Sequence, residues 1–95
     1  MTVEFTDWAK DILQRADAGA RRLNPDARVR LVRAAAGMEA VLSDTPAADD
    51  DVVSIGQATI FVERALNGLV DIEEPHDRLV LKPHGSQPNI REEHG

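Results

Sequence analysis

The sequence predicts an α+β domain in which one N-terminal helix covers a mostly antiparallel two-sheet β system of about six to seven short strands. Three observations lead there. One long stretch, from Asp7 to Leu23, carries apolar residues at helical period. Beyond Asn24-Pro25 the apolar residues alternate or cluster in short β-branched runs, each closed by Gly, Pro, Asn or Asp. A chain of 95 residues builds a single core, so the helix has to lie against the strands. Residues 1–83 carry the pattern of one domain, and residues 84–95 read as a mobile tail.

In chain order, Val3 and Phe5 alternate with Glu4 as a short strand that stops at Thr6. Thr6 followed by Asp7 is a helix N-cap with an acidic residue in the first turn, where the helix dipole favours it. Trp8, Ile12, Ala16, Gly19, Ala20 and Leu23 form the expected apolar stripe, with Trp8 packing the helix onto the sheet. Asn24-Pro25-Asp26 ends the helix, because a residue before proline is pushed out of helical geometry.

Arg28 to Arg33 is the next strand, with Val29 and Leu31 on one face and Arg28 and Arg30 on the other. Ala34-Ala35-Ala36-Gly37 links it to a strand over 38–43, and residues 45–51 form a polar loop. Val52–Ile55 and Thr59–Val62 read as a hairpin turning on Gly56. Glu63–Asn67 reads as one helical turn ended by Gly68. Residues 69–73 and 78–82 are the last two strands, joined by the turn Glu74-Pro75-His76-Asp77; after Pro83 only Ile90 is large and apolar.

Composition excludes several functions. With no cysteine there is no disulfide framework, thiolate metal site or cysteine nucleophile. Eleven basic residues against 17 acidic ones, a net charge of -6, argue against a nucleic-acid partner, which needs clustered cations. The balance is uneven, +2 over residues 1–36 and -8 over 37–95, an asymmetry able to orient self-association or a docking partner. No apolar run approaches the roughly 20 residues of a membrane span, and the first residues lack the pattern of a signal peptide. The expectation is a cytoplasmic protein that touches neither membrane nor nucleic acid.

Several local stretches resemble the A-type iron-sulfur carrier family, also called HesB-like or IscA-like. They are the opening strand that runs through Thr6 into the helix, Arg30-Leu31-Val32, Gly37-Met38-Glu39-Ala40-Val41-Leu42, and Asp49-Asp50-Asp51 with Val52-Val53. Ile60-Phe61-Val62 and Leu66-Asn67-Gly68-Leu69-Val70-Asp71 complete the set, and the likeness spans residues 2 to 83. It implies two packed β-sheets with one covering helix, and a family whose members often dimerise. Typical members carry a Gly-Cys-Ser-Gly loop and a C-terminal Cys-Gly-Cys, whose thiolates hold iron or a cluster. Here the loop reads Ala34-Ala35-Ala36-Gly37, so the resemblance puts Ala35 at the cysteine position, and the tail from His84 to Gly95 has no sulfur. The resemblance therefore implies a degenerate, non-catalytic member without cofactor: a protein-association or accessory module related to iron-sulfur assembly, with a homodimer or an assembly protein as partner.

Among the residues themselves, Arg28 and Arg30, with Arg33 at their edge, are the partner-binding candidates; the plainer alternative pairs them with water or with acids of their own molecule. The alternative function is metal binding by His76 and His84 with neighbouring carboxylates. Neither these nor His94 forms an i,i+4 histidine pair, so no metal site is assigned. Asp49-Asp50-Asp51 lacks the alternating ligands of a calcium loop and reads as solvated. A weaker alternative is a small enzyme using Asp71 with Glu73, or Glu74 with His76, as an acid/base pair. No nucleophile accompanies them, and Asp71 and Glu73 read as the wet face of a strand.

Overall fold

A computed structural model describes residues 3–35 and 37–90. The elements run β1 (Val3–Phe5), α1 (Asp7–Leu23), β2 (Arg28–Ala34), β3 (Gly37–Ser43), β4 (Asp50–Ile55), β5 (Ala58–Glu63), β6 (Gly68–Glu73) and β7 (Arg78–Lys82). Among the described residues, the α+β class, the one helix and the seven strands agree with the expected helix and six to seven strands.

The strands form two sheets, ordered β1-β6-β7 and β3-β2-β5-β4. Both are mixed, where a mostly antiparallel system was expected. The hairpins β2-β3, β4-β5 and β6-β7 are antiparallel, but β1 pairs with β6 and β2 with β5 in parallel. Local alternation fixes strand identity and hairpins; the direction of a pairing between distant strands depends on how the chain crosses over. Helix α1 packs against β2, β4, β5 and β6, and so spans both sheets. The core gathers Ala9 and Leu13 of the helix with Val29, Leu31, Ile60 and Val62 of one sheet and Val70 and Ile72 of the other.

Thr6 is the N-cap, its side chain accepting from the Ala9 N–H, and the helix ends at Asn24. The buried stripe is rotated from the expected one. Trp8, Ala9, Leu13, Asp17 and Ala20 are buried, while Ala16 and Gly19 are exposed and Leu23 is 86% exposed. Ala9, Leu13 and Ala20 lie within about 40° of one another at 100° per residue, so they mark the centre of the packed face. Trp8 sits at its margin.

The hairpin β4-β5 turns through Gly56-Gln57, with Gly56 at φ 59°. The segment after β5 is a turn closed by one bond from the Leu66 N–H to the Glu63 carbonyl, not the expected helical turn. A lone turn of helix does not repay its nucleation, and Leu66 is instead drawn into the core at 2% exposure. Gly68 opens β6 rather than capping a helix. Its φ is 141°, and an added Cβ would collide with the Lys82 backbone carbonyl. The turn Glu74–Asp77 contains a cis Glu74–Pro75 bond and a left-handed Asp77.

The stretch read as a tail divides. Residues 84–90 have no regular structure but fold back on β6 and β7, where Asn89 donates from its backbone to Asp71 and from its side chain to the Ile72 carbonyl. Residues 91–95, with Glu92, Glu93 and His94, lie outside the described residues, as does Ala36.

Candidate functional site

Strand pairing places Arg28, Arg30 and Val32 of β2 on the outer face of the four-stranded sheet, opposite the core-facing Val29 and Leu31. In antiparallel and parallel ladders alike, residues in register share a face. The register Val52↔Phe61, Phe61↔Arg30 and Arg30↔Val41 therefore draws one row across all four strands. On one side of it runs Ser54, Thr59, Arg28 and Ser43; on the other, Asp50, Glu63, Val32 and Glu39. The central row is largely apolar. Val52 and Val41 are 59% and 37% exposed, whereas Phe61 between Val52 and Arg30 is buried.

Arg30 spans β5 to reach Asp50 on β4. Its Nε donates to Oδ2 at 2.7 Å and an Nη to Oδ1 at 3.0 Å, a fork-on-carboxylate pair. The Ala47 N–H also donates to Asp50 at 2.8 Å. The Arg30 hydrogen bonds hold the Asp50 carboxyl below the usual aspartate range; burial opposes them, and the Ala47 N–H assists. Asp50 thus opens β4 as a buried residue instead of lying in the expected solvated loop. Arg30, read as a partner-binding candidate, is consumed by an acid of its own molecule, the plainer of the two readings.

Arg28 donates to the Pro25 and Ala27 carbonyls, so its guanidinium braces the loop ahead of β2. With Asp26, Asp44, Thr45, Thr59 and Phe61 it lines a shallow depression of about 450 Å³. The Arg33 side chain is exposed, and its backbone N–H donates to Glu63 at 3.0 Å. The three arginines share a strand but not a task.

A second polar centre was missed from sequence. Asp71, on the outer face of the three-stranded sheet, is fully buried and accepts from Thr6 Oγ1 at 2.9 Å, Lys82 Nζ at 2.9 Å and the Asn89 N–H at 2.6 Å. Burial presses its pKa upward, but the Asn89, Lys82, Ile72 and Thr6 contacts outweigh this and leave it lowered. Glu73, expected on the same wet face, is exposed and paired with Arg78 at 3.0 Å. The two carboxylates are therefore held by different partners, Asp71 by Thr6, Lys82 and Asn89 and Glu73 by Arg78. The available signal for Asp71 was its position between Val70 and Ile72, inside an apolar run.

The histidines are not brought together. His76 lies in the exposed turn at one end of the β6-β7 hairpin, and His84 follows β7 at the other end. His84 meets Asn67 Oδ1 through Nε2 at 2.5 Å and stands 3.8 Å from Glu4. Among the described residues, no group of three or more His, Asp or Glu could hold a metal ion. Ala35 occupies the exposed tip of the β2-β3 hairpin, where a methyl group offers no ligand. No helix among the described residues is long and apolar enough to cross a membrane. Compared with known proteins, the chain matches no family model and no curated protein.

Proposed function

We propose that this chain is a non-catalytic, cysteine-free HesB-like protein of the cytoplasm that works by protein association, as an accessory to iron-sulfur assembly. The observation that carries the association reading is the open outer face of the four-stranded sheet. There Val52 and Val41 flank a row whose one charge, Arg30, is already neutralised by Asp50. Burying that row against a partner removes apolar area from water without stranding an unpaired ion. The relation to the carrier family rests on the local likenesses in sequence and is supported by the order of one strand, one helix and then a β system. Ala35 and the absence of cysteine argue for association rather than cluster transfer.

Two measurements test this. After anaerobic incubation with ferrous iron and sulfide and then desalting, the protein is expected to retain no stoichiometric iron; retained iron that His84→Ala abolishes would sink the proposal. Immobilised protein is expected to retain iron-sulfur assembly proteins through the sheet face, and a Val41→Glu variant to lose them. Equal recovery on both, or recovery of none, counts against the accessory role.

A further inference from the structure

The sheet that carries this face ends in an edge, β4, with the geometry to pair with itself. In a two-residue hairpin the closing residues, here Ile55 and Ala58, form a hydrogen-bonded pair, and bonded and unbonded pairs alternate outward. Asp51, Val53 and Ile55 therefore bond to β5, while Asp50, Val52 and Ser54 turn their backbone groups to the open edge. The Asp50 N–H fits this assignment, since it donates to Ala47 and not to β5. Strand β4 is terminal in its sheet and has no Pro or Lys among its residues 50–55, two devices that commonly guard an edge.

We infer that β4 pairs antiparallel with β4 of a second copy of this chain about a two-fold axis at Val52, joining two four-stranded sheets into one of eight strands. The register follows from side-chain chemistry. A dyad at Asp51 would set that carboxylate against its own copy, and a dyad at Val53 would set Val52 opposite Ser54. A dyad at Val52 places valine opposite valine and Asp50 opposite Ser54, so no like charges stand directly opposite, and each Asp51, a diagonal neighbour of its copy, is paired with Arg64 of its own chain. The Val52 N–H and C=O bond reciprocally across the axis, and each Ser54 N–H reaches the opposite Asp50 carbonyl. The central row becomes continuous across both copies, from one Val41 through the two Val52 side chains to the other Val41. Val52, at 59% exposure, is the side chain that this arrangement covers. Such an interface is isologous and closes at two copies. The β3 edge is less open, because β3 also packs against β7.

Sedimentation of the wild-type chain over a range of concentrations is expected to show reversible dimerisation. Val52→Lys and Val52→Glu, each folded by circular dichroism, are expected to be monomers, and their equimolar mixture a dimer, because residue 52 meets its own copy. A lone thiol gives an independent readout, since the chain has no cysteine of its own. Cα atoms of a hydrogen-bonded antiparallel pair stand about 5.5 Å apart, within disulfide range. Val52→Cys is expected to oxidise to a covalent dimer about tenfold faster than Leu42→Cys, an equally exposed position on β3, because pairing raises the effective thiol concentration. A wild-type monomer throughout, a dimeric Val52→Lys, a mixture that stays monomeric, or equal oxidation of the two cysteine variants overturns the inference. The partner reading of the face fails separately: a dimer that retains no assembly protein removes that reading and leaves this one.

Discussion

Thr6 Oγ1 accepts the Ala9 N–H at 3.1 Å while donating its own proton to Asp71 Oδ1 at 2.9 Å. One hydroxyl thus caps α1 and ties it to β6, 65 residues away in the chain. Asp71 passes the connection on to Lys82 of β7 and to Asn89, so helix, small sheet and C-terminal strap meet at one carboxylate.

Thr6→Ala removes the cap and leaves a buried Asp71 oxygen with one donor fewer, and it is expected to destabilise the protein by about 1–2 kcal/mol. Thr6→Ser keeps both bonds and is expected to recover most of that loss. Urea unfolding of the two variants at neutral pH makes the comparison; equal midpoints would show that the hydroxyl is not shared as described.

Acid should unfold the protein through Asp50 and Asp71. Both carboxyls titrate lower in the folded state than the value of about 3.9 in an unfolded chain, so their stabilisation is complete above that value and is lost as pH falls toward the folded values. Urea midpoints are expected to be level from about pH 7 to 5 and to drop below about pH 4. In Asp71→Asn the neutral-pH midpoint is expected to fall and the acid-dependent part of the loss to shrink. An Asn variant with the full wild-type pH profile would contradict the role given to Asp71.

Gly68 is a steric requirement. At φ 141°, with the Lys82 carbonyl where a Cβ would stand, Gly68→Ala must push β6 from β7 and is expected to cost about 2 kcal/mol or more. Gly19, with open space around its Cβ position and a helical backbone, is the contrasting site: Gly19→Ala is expected to stabilise by about 0.5–1 kcal/mol. Thermal melts of the two variants should move in opposite directions.

The helix face can be read by truncation. Leu13 is fully buried and Leu23 is 86% exposed, so Leu13→Ala is expected to cost about 3 kcal/mol and Leu23→Ala less than about 0.5 kcal/mol. Equal losses would mean that α1 is rotated from the orientation described.

The helix, its cap at Thr6, its stop at Asn24-Pro25, the hairpin turning on Gly56 and the turn between the last two strands were legible in the residues, because each depends on neighbours a few positions apart. The alternation in Arg28–Arg33 likewise told which side of β2 is buried. The stripe that named Leu23 and passed over Leu13 went astray for a physical reason: periodicity gives the existence of a face, but the sheet beneath selects which residues at its margins are covered. The helical turn expected over Glu63–Asn67 gave way to the pull of Leu66 into the core.

What sequence alone determined was the helix with its two ends and the approximate strand positions, together with the exclusions that follow from having no sulfur. Tertiary structure decided the rest. Only the parallel crossover of β2 onto β5 brings Arg30 to Asp50, and only the return of the chain after β7 encloses Asp71. An aspartate in a polar run and another in an apolar strand look alike until distant donors surround them. Its partners, not its neighbours in the chain, determine whether a carboxylate is solvated or becomes the anchor of a fold.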